Sequence, residues 1–253
     1  MGRVITIANQ QNGTGKTATS VNLAACLALL GKKVLLIDTD PQANATSSLG
    51  LVKDSGNGLY EVLKGEINAR EAVNATEIAK LQMIPTDINL IGAEFDLLEH
   101  PGRNILLRSA IAPIRNEFDF IIIDCGPSLG ILTLNALAAA DSVLIPIQPE
   151  FFALDGIGKL LQTVRLMQSS ENPGLEIEGF VITLYDGRSK MHSQVVEDIR
   201  GMFSDMVFGT VVLKNEKIRE AELRNMPVVL YDPRCTGAAN YTKLAQEIID
   251  TDR

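Results

Sequence analysis

The chain has 253 residues, 46% of them hydrophobic, and a formal charge of −8. That length suits one large buried core, read as a single domain over 1–253. The acidic balance argues against nucleic-acid binding through the overall field. An aromatic content of 5% with no Trp leaves few platforms for stacking bases.

Val4 to Ala8 is an apolar, β-branched run and predicts a buried strand. Val21 to Leu30, closed by Gly31, predicts a helix. Between them lies Asn-Gln-Gln-Asn-Gly-Thr-Gly-Lys-Thr-Ala, residues 9–18. Strand, glycine loop, Lys-Thr and helix together form the context in which backbone N–H groups and a positive helix end face a phosphate. Gly13 and Gly15 let the backbone bend and approach. Lys16 is placed to reach β- and γ-phosphates, and Thr17 to hold magnesium. The general phosphate-loop pattern has a glycine where this chain has Gln10. The competing interpretation is a plain glycine turn with no ligand.

Val34 to Asp38 predicts a second buried strand, ending in a carboxylate. The polar segment Thr39 to Thr46 follows at its carboxyl end, where ligands bind in an open parallel sheet. Asp38 and Asp40 beside a phosphate loop favour magnesium and water handling. Residues 51–80 read as loop and short helices, and Leu81 to Ile84 as a short strand stopped by Pro85. Helices are expected at 94–99 and 105–118, the second strained at Pro113. Asp119 to Asp124 is the third strong strand and brings Asp124 to the loop as a magnesium-shell carboxylate.

The pattern continues with a helix at 131–139 and a strand at 142–147. The segment Gln148 to Leu154, with Phe151 and Phe152, lies at that strand's carboxyl end. Then come a helix at 158–167, a strand at 177–184, a helix at 193–203, a strand at 207–213 and a short helix at 218–223. Val228 to Tyr231 is expected as a strand, and 238–249 as the last helix. Strands alternating with helices predict an α/β fold: a mainly parallel twisted sheet with helices on both faces. Cys26, Cys125 and Cys235 show neither metal spacing nor a disulfide framework, which suits a reducing, cytoplasmic setting. Nothing near the start reads as a secretory signal, and no apolar run reaches membrane length. The end, Gln246 to Arg253, is acidic, the wrong sign for an anionic membrane.

Taken in order, these segments resemble the ParA-type partition ATPases of the Soj kind, within the wider MinD/ParA group of P-loop proteins. The resemblance runs nearly end to end. It rests on the loop at 11–18, on Asp38-Thr39-Asp40-Pro41-Gln42-Ala43-Asn44-Ala45-Thr46, and on Ile121 to Gly130. Leu132 to Leu137, Tyr185-Asp186-Gly187-Arg188, Glu220-Ala221 and Tyr231-Asp232-Pro233-Arg234 add to it. The Asp-x-Asp-Pro-Gln block is the most specific.

The resemblance implies binding of ATP and Mg2+, an ATP-dependent homodimer, and attachment to double-stranded DNA without sequence preference. It implies a ParB-like or adaptor partner on the cargo that stimulates hydrolysis and releases the dimer. The cargo is a chromosome or plasmid, the setting cytoplasmic and nucleoid-associated, with no membrane partner. By position, Gln11, Asn12, Gly13, Thr14, Gly15, Lys16, Thr17 and Ala18 surround the nucleotide, and Asn215 contacts adenine. Lys16 and Asp40 are the catalytic pair, Asp40 orienting or activating water. Thr17 and Asp124 hold the metal, with Asp38 in support. Arg188 and Lys217 fall where the family contacts DNA.

The chain also departs from the family. A signature lysine that crosses the dimer to the partner's ATP is Gln11 here, which donates hydrogen bonds but carries no charge. Asn12 replaces a glycine at the dimer face, and Gly126 replaces a proline after Asp124-Cys125. Between 214 and 224, Lys214, Lys217, Arg219 and Arg224 are interleaved with Glu216, Glu220 and Glu222, which dilutes a phosphate-binding surface. The alternatives are an ATP-binding switch with little hydrolysis, and a relative that positions a protein cargo. A nitrogenase-type reductase needs paired cluster cysteines, which Cys125 alone does not supply. An amide-forming synthetase needs a substrate pocket that the sequence does not announce.

Overall fold

The computed structural model describes residues 2–51, 56–97, 99–150 and 153–251. Phe151, Phe152, Leu98 in the expected 94–99 helix, and the terminal Asp252 and Arg253 lie outside the described residues. The strands are β1 (Arg3–Ile7), β2 (Val34–Asp38), β3 (Asn74–Ala75), β4 (Leu81–Ile84), β5 (Phe120–Asp124), β6 (Ser142–Ile147), β7 (Glu176–Tyr185) and β8 (Val207–Leu213). The helices of the first half are α1 (Lys16–Leu29), α2 (Asn44–Ser48), α3 (Leu59–Lys64), α4 (Leu90–Asp96) and α5 (Leu106–Ile111). Those of the second half are α6 (Ile131–Ala139), α7 (Ala153–Ser169), α8 (Lys190–Phe203), α9 (Glu216–Glu222), α10 (Val228–Tyr231) and α11 (Thr236–Asp250).

One sheet has the order β3-β4-β2-β5-β1-β6-β7-β8. Every pairing is parallel except that of the short β3 with β4. Strands buried on both faces read as continuous apolar runs rather than alternating ones. Their side chains still alternate in space. Val4, Leu35, Ile37, Ile121 and Ile123 pack on one face, in the core that α5, α6 and α7 cover. Ile5, Ile7, Val34, Leu36 and Ile122 pack on the other, beneath α1 and α11. The chain leaves β1 for α1 on one face and β5 for α6 on the opposite face, so a crevice opens at the carboxyl ends of the central strands. Register brings Ile7, Asp38 and Asp124 level there, Asp124 pairing with both others.

Two expectations are corrected. Val228 to Tyr231 is a single helical turn, α10, not a strand. A four-residue apolar run does not distinguish strand from buried helix. Here the Val228 N–H donates to Asn22 Oδ1 at 2.7 Å, so α1 takes the bond that a sheet neighbour would have taken. The expected helix at 105–118 stops at Ile111, and a separate 3-10 turn spans Arg115–Glu117. Pro113 lacks the N–H that a continuing helix needs.

Candidate functional site

Asn9 fixes how the chain leaves β1. Its Nδ2 donates to the Pro146 carbonyl at 2.7 Å, and its Oδ1 accepts from the Gln11 N–H at 2.9 Å. Gly13 and Gly15 lie at φ 76° and 77°, where a side chain is strained. The turn at Gly15 leads straight into α1, whose N-terminus has no side-chain cap. Its first N–H groups therefore stay available to an anion. Thr183 on β7 braces the loop from behind, donating to the Thr14 carbonyl at 2.8 Å.

The Lys16 ammonium is folded back onto this loop and donates to the Gln11 carbonyl at 3.0 Å. Burial lowers its pKa, against the pull of Asp124 and Asp40. Thr17 and Ser20 each donate to Asp124: Thr17 Oγ1 to Oδ2 at 2.9 Å, Ser20 Oγ to Oδ1 at 2.7 Å. Sequence reasoning missed Ser20, although an i, i+3 spacing from Thr17 puts both hydroxyls on one helix face. Asp38 is engaged elsewhere. Its Oδ2 accepts from the Thr46 N–H and hydroxyl at 2.9 and 2.8 Å, and its Oδ1 from the Asp40 N–H at 3.1 Å. It clamps the 39–46 loop, while Thr17 stands against Asp124. Thr46 is the partner that the sequence did not single out.

Asp40 lies on the cavity wall, with Oδ1 accepting from the Gln42 N–H at 3.0 Å. Its neighbour is Gly126, where an added Cβ would stand 3.3 Å from the Asp40 carboxyl carbon. The glycine that replaces the family proline thus leaves Asp40 its room. The cavity is about 440 Å³. It runs from the glycine loop, Thr17, Ala18 and Asp40 across to Leu184, Asn215 and α9. Asn215 caps α9 through the Lys217 N–H at 2.8 Å and donates to Thr236 Oγ1 at 2.6 Å.

Gln11 and Thr14 do not line this cavity. The Gln11 side chain turns toward α7, where a Cβ at Gly156 would be 3.7 Å from its Oε1. That oxygen is buried and, among the described residues, has no hydrogen-bond partner. Arg188 and Lys217 also stand away from the loop. Arg188 forks onto Asp186 at 3.0 and 2.9 Å, and Lys217 pairs with Glu220 at 2.7 Å. Such exposed pairs are weak, so a phosphate can displace them.

Burial, and then the charge of Asp38, push Asp124 up to about 8. Burial likewise raises Asp38 to about 6. The folded protein then keeps protons that the unfolded chain, with ordinary carboxylates, has released. Stability of the metal-free, nucleotide-free protein therefore falls as pH rises through that window. In chelator, its melting temperature is expected to be higher near pH 6 than near pH 8. Asp124→Asn should flatten the slope, and an unchanged slope in that variant would refute the assignment.

Among the described residues, no group of three or more His, Cys, Asp or Glu side chains forms a metal cage. No helix is long and apolar enough to cross a membrane among the same residues. A family model described as an AAA domain matches residues 2–177. The sporulation initiation inhibitor protein Soj of Bacillus subtilis is 47% identical over 249 residues, covering 98% of each chain. The chromosome partitioning protein ParA of Myxococcus xanthus is 44% identical over 253 residues, covering 100% of this chain and 89% of that protein. Among solved structures, cobyrinic acid a,c-diamide synthase from Mycobacterium smegmatis with bound ADP and magnesium matches with a TM-score of 0.85 at 35% identity. That match covers 97% of this chain and 93% of the synthase chain. With the glycine loop, the Asp38–Thr46 block and the Asp124 strand end converging on one crevice, these relatives place the chain in the ParA/Soj family of partition ATPases.

Proposed function

We propose that this protein is a nucleotide-gated partition ATPase that binds ATP with magnesium, dimerises on it, and hydrolyses it slowly. The observation that carries this is the Lys16–Thr17–Asp124 constellation at an uncapped helix N-terminus, with Asp40 across the same cavity. These residues fit the cofactors. Magnesium is held through one or two protein oxygens together with phosphates, and Thr17 and Asp124 offer oxygens side by side. When bound, the ion would be held beside Thr17 and Asp124 and would offset the negative charge of the phosphates. Lys16 exchanges the Gln11 carbonyl for phosphate. Asp40 holds the attacking water and takes up its proton, and Asp38 keeps the Asp40 loop rigid through Thr46.

Light scattering and phosphate release, each with no nucleotide, ADP and ATP–magnesium, test this. A dimer is expected with ATP–magnesium, with slow phosphate release. A protein that binds no ATP and stays unchanged in size would overturn it.

A second version, a switch with very little turnover, is supported by the inward turn of Gln11. Under either version we assign double-stranded DNA to the surface that carries Arg188 and Lys217, with a cargo-bound partner to trigger release. The carboxylates Asp186 and Glu220, paired with Arg188 and Lys217, weaken that attachment, and added salt weakens it further.

A further inference from the structure

Arg219 belongs, by sequence, to the mixed-charge run between 214 and 224. Midway along α9, it lines the nucleotide cavity next to Asn215 and Ile218. It also lines an adjoining cavity of about 400 Å³ with Thr17, Asn44 and Ser47. Thr17 is common to both cavities, so Arg219 stands across the opening from the N-terminus of α1. Arg188 and Lys217 are tied to carboxylates, whereas no hydrogen bond or ion pair engages the Arg219 guanidinium among the described residues. Glu222, three residues on, borders the same two cavities, and the charge of Arg219 acts on it. A cation without a bonded partner on the wall of an anion site has a definite use.

We propose that Arg219 clamps, from within the same protomer, the phosphates of a nucleoside polyphosphate bound at the glycine loop. This rests on the nucleotide site proposed above and names a residue beyond the family's motifs. A guanidinium offers a planar fork of donors that matches phosphate oxygens in pairs. It supplies in cis a positive charge that Gln11 does not bring. The contact is made before any bond breaks, so it strengthens binding of substrate and transition state alike. Its loss raises Kd and KM and leaves kcat nearly unchanged. Glu222 has the opposite effect, since its carboxylate borders the cavity where phosphate arrives.

Isothermal titration of ADP and ATP, with magnesium, into the full-length wild type, Arg219→Ala, Arg219→Lys and Glu222→Gln tests this. Arg219→Ala is expected to weaken both nucleotides about tenfold or more. Arg219→Lys should recover part of the loss, and Glu222→Gln should bind more tightly than wild type. Adenosine, measured as a competitor of a fluorescent nucleotide, should lose nothing in Arg219→Ala. An unchanged melting temperature will verify that the exposed Arg219 is not needed for folding. Arg219→Ala with wild-type affinity for ADP and ATP overturns the clamp, as does an equal loss for adenosine. A wild type that binds no nucleotide overturns the underlying site instead, so the two failures are told apart.

Discussion

Replacing Gln11 with Lys raises phosphate release from the ATP-bound dimer by at least about 10³-fold, the lower end of what a cation supplied in trans contributes to phosphoryl transfer. The wild-type side chain lies against α7 with its amide oxygen buried and, among the described residues, without a partner. A lysine ammonium left there would be a buried, unpaired charge, which is far more costly than a neutral amide. Its long stem is therefore expected to carry it outward, toward the nucleotide of the second protomer in the proposed dimer. ATP affinity changes little, because the Gln11 side chain does not line the cavity. Single-turnover phosphate release separates this from binding. Should the rate stay at the wild-type level while a dimer forms, the lost charge is not what slows the reaction. Should no dimer form, adding Asn12→Gly tests whether the exposed Asn12 side chain holds the protomers apart.

Much of this site was legible because its chemistry is local in sequence. A glycine loop between a β-branched strand and a helix can be read from adjacent residues, and so can strands that end in Asp38 and Asp124. The register that sets those carboxylates level follows from the parallel sheet that the alternation of elements predicts. What stayed hidden depends on partners far along the chain. Asn22 of α1 converts Val228–Tyr231 into a helical turn from 206 positions away. Thr183 braces Thr14 across 169 positions. Arg219 sits in a run of mixed charge whose faces cannot be assigned until α9 is packed, and the fold sends one cation of that run into the cavity. Gln11 was visible as a departure. That its side chain would turn inward against Gly156 was not, because the contact depends on where α7 lies.

Asp40→Ala should lower phosphate release by about 10²–10⁴-fold, the usual contribution of a positioned proton acceptor. The ATP-dependent dimer should persist. The two effects separate because Asp40 borders the cavity without joining the Thr17–Asp124 pair proposed to hold the metal. Its Oδ1 is committed to the Gln42 N–H, which orients the carboxylate and leaves Oδ2 to meet the water. Slow turnover in the wild type would compress such a loss, so the comparison is best made in the Gln11→Lys background. Gly126→Ala gives an independent measure of the same geometry. A Cβ at that position stands 3.3 Å from the Asp40 carboxyl carbon, so the carboxylate must shift by a few tenths of an ångström. A misplacement of about 1 Å costs about 10²-fold, and this smaller one should cost roughly tenfold. A Gly126→Ala rate equal to that of its parent would mean that Asp40 tolerates displacement and acts on the water only loosely. An Asp40→Ala variant that keeps full turnover would remove Asp40 from the reaction and leave Lys16, the metal and the partner-supplied cation to carry it.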